Sequence, residues 1–316
     1  MKKCALHLLC FCFILFACLP TTSTPTQISN QSTPTLTPTA IPTRTQTPTK
    51  TLTATPTPLK YISHLDIFFA NQKIFEELYL AHGLHGVYIH EIGSPDFIEF
   101  GRDLQLHGAS TIKIPIAVAV LIVAEKNGWN LDTYIPPDQS LTLAELIEKM
   151  IVMHDGWSTN HLINFINDQG YRFDDELEKM GFVGFNINHR LTTASALGNL
   201  LERLSADTLG LQHNQFILDL MAMDSALDTR TFPWAINDTL PGSYANMLGA
   251  IYNYDIQVTD MGLIKYVAAD CGLWTTPDGH RFVVVLIGNY GSESDFLLSN
   301  GFIHQIVTIL SDLVSN

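Results

Sequence analysis

The segment Ala109-Ser110-Thr111-Ile112-Lys113 sets a hydroxyl and an amine three residues apart, where an apolar helix is expected to begin. Residues at i and i+3 share a helical face. A neutral lysine there takes the serine proton, and the helix N-terminus favours the negative charge that develops on attack. An S-x-x-K pattern by itself recurs by chance in many helices, so its setting carries the information. The plain alternative for Lys113 is an amine satisfied by backbone groups, although an amine on an otherwise apolar helix is costly without a partner. The histidines His82, His90, His107, His189, His213, His280 and His304 show no metal-ligand spacing, so neither a metal nor a cofactor is expected.

Several elements must position that serine. Apolar spacing over His64 to His82 predicts a helix. Gly86 to Ile92 and Phe97 to Phe100 read as two strands joined by the turn Gly93-Ser94-Pro95-Asp96. Ile112 to Ala124 is apolar nearly all round, a buried helix whose Pro115 is tolerable only near its start, which puts that start close to Ser110. Further helices are expected over 141–153, 157–168, 173–180, 192–204 and 214–225. Val267 to Trp274 and Arg281 to Ile287 read as a strand pair around Pro277-Asp278-Gly279, and Phe302 to Val314 as a closing helix. Strands from both ends of the chain, 86–101 and 257–288, are expected to share one antiparallel sheet packed by the first and last helices. A helical part is inserted between them, which makes an α+β architecture.

In this setting the S-x-x-K segment resembles that of the class A β-lactamase and penicillin-binding serine hydrolases. Three other stretches agree. Thr142-Leu143-Ala144-Glu145-Leu146 through Asn160-His161-Leu162-Ile163 resembles the helix leading into the family's S-D-N loop and the Asn-x-Leu helix after it. Leu191-Thr192-Thr193-Ala194 resembles its Thr-Thr helix start. Asp270-Cys271-Gly272-Leu273-Trp274 with Pro277-Asp278-Gly279 resembles the strand pair after its K-T-G motif. The resemblance spans about residues 64–316. It implies the β-lactamase/transpeptidase-like fold, with Ser110 as nucleophile and Lys113 as its partner.

The other motifs depart from the family. The S-D-N loop reads His154-Asp155-Gly156, or, in a rival register, Ser158-Thr159-Asn160. Counting back from Asp270 puts K-T-G at Asp260-Met261-Gly262, with the lysine replaced by aspartate and the glycine kept for close substrate approach. Asp155 and Gly262 are then the expected substrate contacts. Between Met180 and Thr192 there is no carboxylate to match the Glu that activates the deacylating water in β-lactamases. The two replacements order Ser110, His154 and Asp260 as a serine–histidine–aspartate triad would, with Lys113 in support. The bland alternative is drift, with His154 exposed or paired to Asp155. Three functions stay open: a serine hydrolase of altered specificity on an amide or ester, a dead domain that binds a cell-envelope ligand, and a structural surface module. The first is preferred, with a small-molecule or peptide substrate and weak or no β-lactamase turnover.

The remaining chain bears on location. Lys2 and Lys3 precede an apolar run from Ala5 to Ala17, too short for an ordinary transmembrane helix, and Leu15-Phe16-Ala17-Cys18 resembles a bacterial lipobox. Residues 1–18 are therefore expected to be a lipoprotein signal, with Cys18 lipidated and the mature protein held at the extracytoplasmic membrane face. Residues 19–58, rich in Thr and Pro, cannot bury enough apolar surface to offset ordering and are expected to form an extended stalk. Residues 59–316 form the folded domain, expected to be monomeric. The net charge of −14 argues against nucleic acid. Four of five cysteines lie in the first eighteen residues, so Cys271 is expected to be a buried apolar residue without a disulfide.

Overall fold

The computed structural model describes residues 84–95, 97–136, 140–227, 242–258, 262–297 and 306. The chain divides into two units, Met1–Leu59 and Lys60–Asn316, and every described residue lies in the second. The helices expected over 64–82 and 302–314 fall outside the described residues, apart from the buried Ile306.

Five antiparallel strands form the main sheet in the order β2-β1-β9-β8-β5. They are β1 (Leu84–Glu91), β2 (Phe97–Phe100), β5 (Ser243–Ile251), β8 (Tyr266–Thr275) and β9 (Arg281–Tyr290). β1 and β9 pair from Leu84↔Asn289 to Glu91↔Phe282, which joins the two ends of the domain in one sheet. The strands read as nearly continuous apolar runs because both faces are covered. On β8 and β9, Cys271, Leu273, Val283 and Val285 face the larger core, while Trp274, Phe282, Val284 and Leu286 face the other. This is the period of two that a pleated strand imposes.

Between the strands lies the helical part: α1 (Lys113–Lys126), α2 (Leu143–Ile151), α3 (Gly156–Asp168), α4 (Phe173–Lys179), α5 (Ala194–Ser205) and α6 (Asn214–Leu227). Helix α1 is buried from Lys113 to Ala124. Thr142 and Glu145 form a reciprocal capping box that starts α2. The carboxylate of Glu176, 2 % exposed, ties α4 to α1 through Lys126 and also pairs with Lys179 of its own helix. Cys271 is free and buried in the core.

The expected sheet needs two corrections. Its edge strand is β5, residues 243–251, to which the sequence reading assigns no strand. The stretch just before β8 instead makes a separate hairpin, β6 (Ile256–Val258) with β7 (Gly262–Ile264). A last small ladder pairs β3 (Leu106–His107) with β4 (Leu191–Thr192). It fastens the segment leading to Ser110 onto the short loop after α4.

Candidate active site

Ser110 lies in a 3-10 turn, Ala109–Ile112, that runs directly into α1. The serine is half-buried, and Lys113, the first residue of α1, is 6 % exposed. Ala109 holds φ at +47°, a left-handed conformation that alanine rarely adopts and that surrounding contacts must enforce. Those contacts are present. The Asn289 side chain on β9 grips the His107 backbone at both ends, accepting from its N–H at 2.8 Å and donating to its carbonyl at 3.1 Å. The Ala109 N–H donates to Nδ1 of His107 at 3.1 Å, and Thr111 Oγ1 donates to the Gly108 carbonyl at 2.6 Å. Burial first, then the charge of Arg190, pushes the His107 imidazole down to about 4. His107 is therefore neutral near pH 7, and with Nδ1 accepting, its proton sits on Nε2.

The edge strand β5 closes over the serine. A Cβ at Gly249 would lie 2.5 Å from Ser110 N and 2.9 Å from Ala109 Cβ, so only glycine lets the strand pass this close. The tripeptide ending in that glycine is Met247-Leu248-Gly249. This corrects the sequence count that put the strand motif at Asp260-Met261-Gly262. Gly262 lies on the exposed β6–β7 hairpin, where a Cβ would meet nothing within 4 Å. Asp260 lies outside the described residues. The count failed because the β6–β7 hairpin inserts residues between the edge strand and β8.

His154 joins α2 to α3 with φ +51°. Its Nε2 lies 3.0 Å from Oδ1 of Asp224, a buried carboxylate on α6. Among the described residues the carboxylate beside His154 is Asp224, while the expected Asp260 lies outside them, and the drift reading in which His154 pairs with Asp155 does not hold. Asp155 accepts from the backbone N–H groups of Ser158 at 2.8 Å and Trp157 at 3.3 Å, as the cap of α3. The Ser158 hydroxyl and N–H together hold the Asp155 carboxyl below the usual range. Asp155, expected as a substrate contact, serves in the structure as that cap. Ser158 is fully buried within α3 and donates to Asp155, which removes the rival Ser158-Thr159-Asn160 register.

A cleft of about 920 Å³ opens beyond Gly249 along β5. It is lined by Ala250, Ile251 and Tyr252, by His107, and by Asn186, Asn188, His189, Arg190 and Leu191. The chemistry available around Ser110 is a hydroxyl at a helix start, a buried amine one turn on, and a strand edge against the serine N–H. Sequence reasoning missed Gly249, Asp224, Asn289, His107 and Arg190. Asp224 is one of two carboxylates, with Asp219, in the otherwise apolar stretch Phe216-Ile217-Leu218-Asp219-Leu220-Met221-Ala222-Met223-Asp224, and it is the buried one. Among the described residues no three His, Cys, Asp or Glu side chains gather as a metal site requires.

Comparison with known proteins agrees with this architecture. The TLA-3 extended-spectrum beta-lactamase superposes with a TM-score of 0.62 at 18% identity, covering 78% of this chain and 99% of that one. A beta-lactamase from Chitinophaga pinensis gives 0.61 at 20% identity, covering 77% of this chain and 98% of that one. The structure of PBP-A gives 0.56 at 18% identity, covering 77% of this chain and 96% of that one. At these identities the likeness is one of fold. No curated protein sequence matches the chain. The family model described as "Beta-lactamase enzyme family" matches residues 71–313, and the chain belongs to that family of serine hydrolases.

Proposed function

We propose that this domain hydrolyses an amide or ester through an acyl intermediate on Ser110 and turns over β-lactams poorly. The observation that carries the reading is the backbone of Gly249 pressed against Ser110 N, beside a strained Ala109. Strain and close approach of this kind persist only where the surroundings over-determine them, and they cluster at reactive sites. In the proposed reaction Ser110 Oγ attacks the carbonyl carbon as its proton passes to Lys113 or His154. The oxyanion is stabilised by the Ser110 N–H and the free edge of β5. Collapse breaks the bond to the leaving group, which takes that proton, and water then cleaves the acyl-serine.

Asp224 gives His154 a defined role in this scheme. In this scheme His154 donates Nε2–H to Asp224 and uses Nδ1 as the base, and the carboxylate stabilises the imidazolium that forms. Such a base can also activate the deacylating water, for which the short loop between Met180 and Thr192 supplies no carboxylate. Met247 stands where the family's strand carries a cationic lysine, which weakens the reading of a working β-lactamase. The deciding experiment is labelling with a fluorophosphonate followed by peptide mass spectrometry. Adduct on Ser110, absent in Ser110→Ala, is expected. No adduct under conditions that label a control serine hydrolase selects the dead-domain reading.

Location is part of the same proposal: a lipid on Cys18 tethers the domain, through residues 19–58, to the outer face of a membrane. Intact mass of the membrane-extracted protein tests it, and an unmodified N-terminus downstream of Cys18 would exclude the anchor.

A further inference from the structure

The family's strand lysine is absent, yet the cleft has a cation of its own. Arg190 sits between the loop and β4 with φ +55°, and its carbonyl accepts from the Gly108 N–H at 2.9 Å, two residues before Ser110. Arg190 lines the cleft together with His107, and its charge is near enough to add to burial in pushing the imidazole down. Asp255, the carboxylate among the lining residues, is drawn to Lys265 at 3.7 Å, which leaves Arg190 as the unmatched charge of the cleft among the described residues. The His107 ring is 5 % exposed, and with Nδ1 accepting from Ala109 its Nε2–H is the remaining donor. A guanidinium fork and an imidazole N–H in one cleft make a donor set that suits an anionic oxygen group.

We propose that Arg190, with the Nε2–H of His107, is an anion subsite that selects substrates carrying a carboxylate on the acyl portion. The subsite lies past Gly249, toward the C-terminal end of β5, whereas Met247 lies before it. None of Ser110, Lys113 and His154 lines this cleft. It adjoins the serine turn through the Gly108–Arg190 backbone hydrogen bond, and in the proposed arrangement the acyl portion lies on this side and the leaving group on the other. The proposal rests on the acyl-serine reading only for where the reacting bond sits. Because Arg190 is exposed, its attraction is screened by salt and acts more on substrate capture than on the chemical step.

Two measurements separate the subsite from the reaction. In the first, the mono-para-nitrophenyl ester of glutaric acid is compared with para-nitrophenyl valerate, a neutral ester of equal acyl length, after subtracting rates with Ser110→Ala. The protein is expected to prefer the glutarate ester by about tenfold in kcat/KM, carried by KM. The preference shrinks with added salt, collapses toward unity in Arg190→Ala, and is partly kept in Arg190→Lys. In the second, Ser110→Ala protein is titrated with glutaric monoanilide and with valeranilide. Tighter binding of the anilide with the carboxylate, lost in Ser110→Ala/Arg190→Ala, is expected whether or not the native protein turns over. Equal rates and equal binding for the charged and neutral members overturn the subsite, even if Ser110 is labelled. An intact binding preference without Ser110 labelling overturns the hydrolase reading and leaves the subsite standing.

Discussion

Replacing Gly249 by alanine tests the packing on which the site reading depends. The added methyl carbon would stand 2.5 Å from Ser110 N, 2.9 Å from Ala109 Cβ and 3.2 Å from Ser110 Cα. Two of these three atoms are backbone, and the third belongs to an alanine with no rotamer to change, so β5 or the serine turn must move. Overpacking of this kind costs roughly 1–3 kcal/mol. In a domain of this size that is a fall in Tm of about 2–4 °C per kcal/mol. The effect on reactivity is larger, since a displacement of about 1 Å at a reacting group costs roughly a hundredfold in rate. Gly262→Ala is the control. Its φ of +78° makes alanine strained, but no atom lies within 4 Å of the new methyl. It should lose about 1–2 kcal/mol of stability and label at Ser110 at the parental rate. The assay is the second-order rate of fluorophosphonate labelling beside a thermal melt. If Gly249→Ala labels as fast as the parent while Gly262→Ala is slowed, the strand motif belongs at 260–262 and the reasoning here is wrong.

The remaining predictions address the groups around that serine. Asp224→Asn should slow Ser110 labelling by roughly 10²–10⁴-fold and His154→Ala by a similar factor, with their double variant no worse than either; additive losses would show that the pair does not act as a unit. A chromogenic cephalosporin should turn over far below the roughly 10 per second of an average enzyme, and a rate above that refutes the poor-β-lactamase reading. The His107 imidazole, lowered to about 4 against an ordinary value near 6.5, should make stability pH-dependent. Between those values the unfolded chain binds the proton and the fold does not. The contribution, on the order of 3 kcal/mol, is therefore present above about pH 6.5 and lost as pH falls toward 4. Urea unfolding at pH 7 and pH 4.5 should show that loss in the parent and a smaller one in His107→Gln, and equal losses would assign it to other groups.

The elements that were legible from sequence share a simple signal. Helix α1 declares itself by twelve consecutive buried positions with a serine turn before it, and β8 and β9 by long apolar runs around a Pro-Asp-Gly turn. The nucleophile and its lysine are local, three residues apart, so one stretch of chain reveals them. The strand β5 was not legible, because Ala245, Asn246 and Gly249 dilute its apolar pattern and a strand edge is specified by its partner as much as by itself. Asp224 was not legible because its meaning lies 70 residues away, on His154. Gly249 has the same difficulty: what forbids a side chain there is the Ser110 backbone, a contact that no periodicity in β5 encodes.

These long-range contacts alter what the sequence departures mean. With the motif counted at 260–262, the lysine is replaced by an aspartate, a charge reversal that would repel anionic substrates. With the motif at Met247-Leu248-Gly249, the change is a loss of charge by an apolar residue that is fully buried. A buried methionine neither repels nor holds an anion, so the work of attracting one passes to whatever cation the cleft retains. Arg190 lines that cleft, on the same short loop that has no carboxylate. A loop with neither an acid to activate water nor an acid to neutralise its arginine suits a site where the base lies elsewhere. In the proposed scheme His154 with Asp224 is such a base, and an acidic loop would cancel the charge of Arg190. On this proposal the absent loop acid and the anion subsite follow from one feature of the electrostatics of the cleft. Placing an acid back on the loop, as in Asn188→Glu, should therefore reduce the preference for the glutarate ester through KM. A preference that survives the new carboxylate at low ionic strength would separate the two effects and remove the link drawn between them.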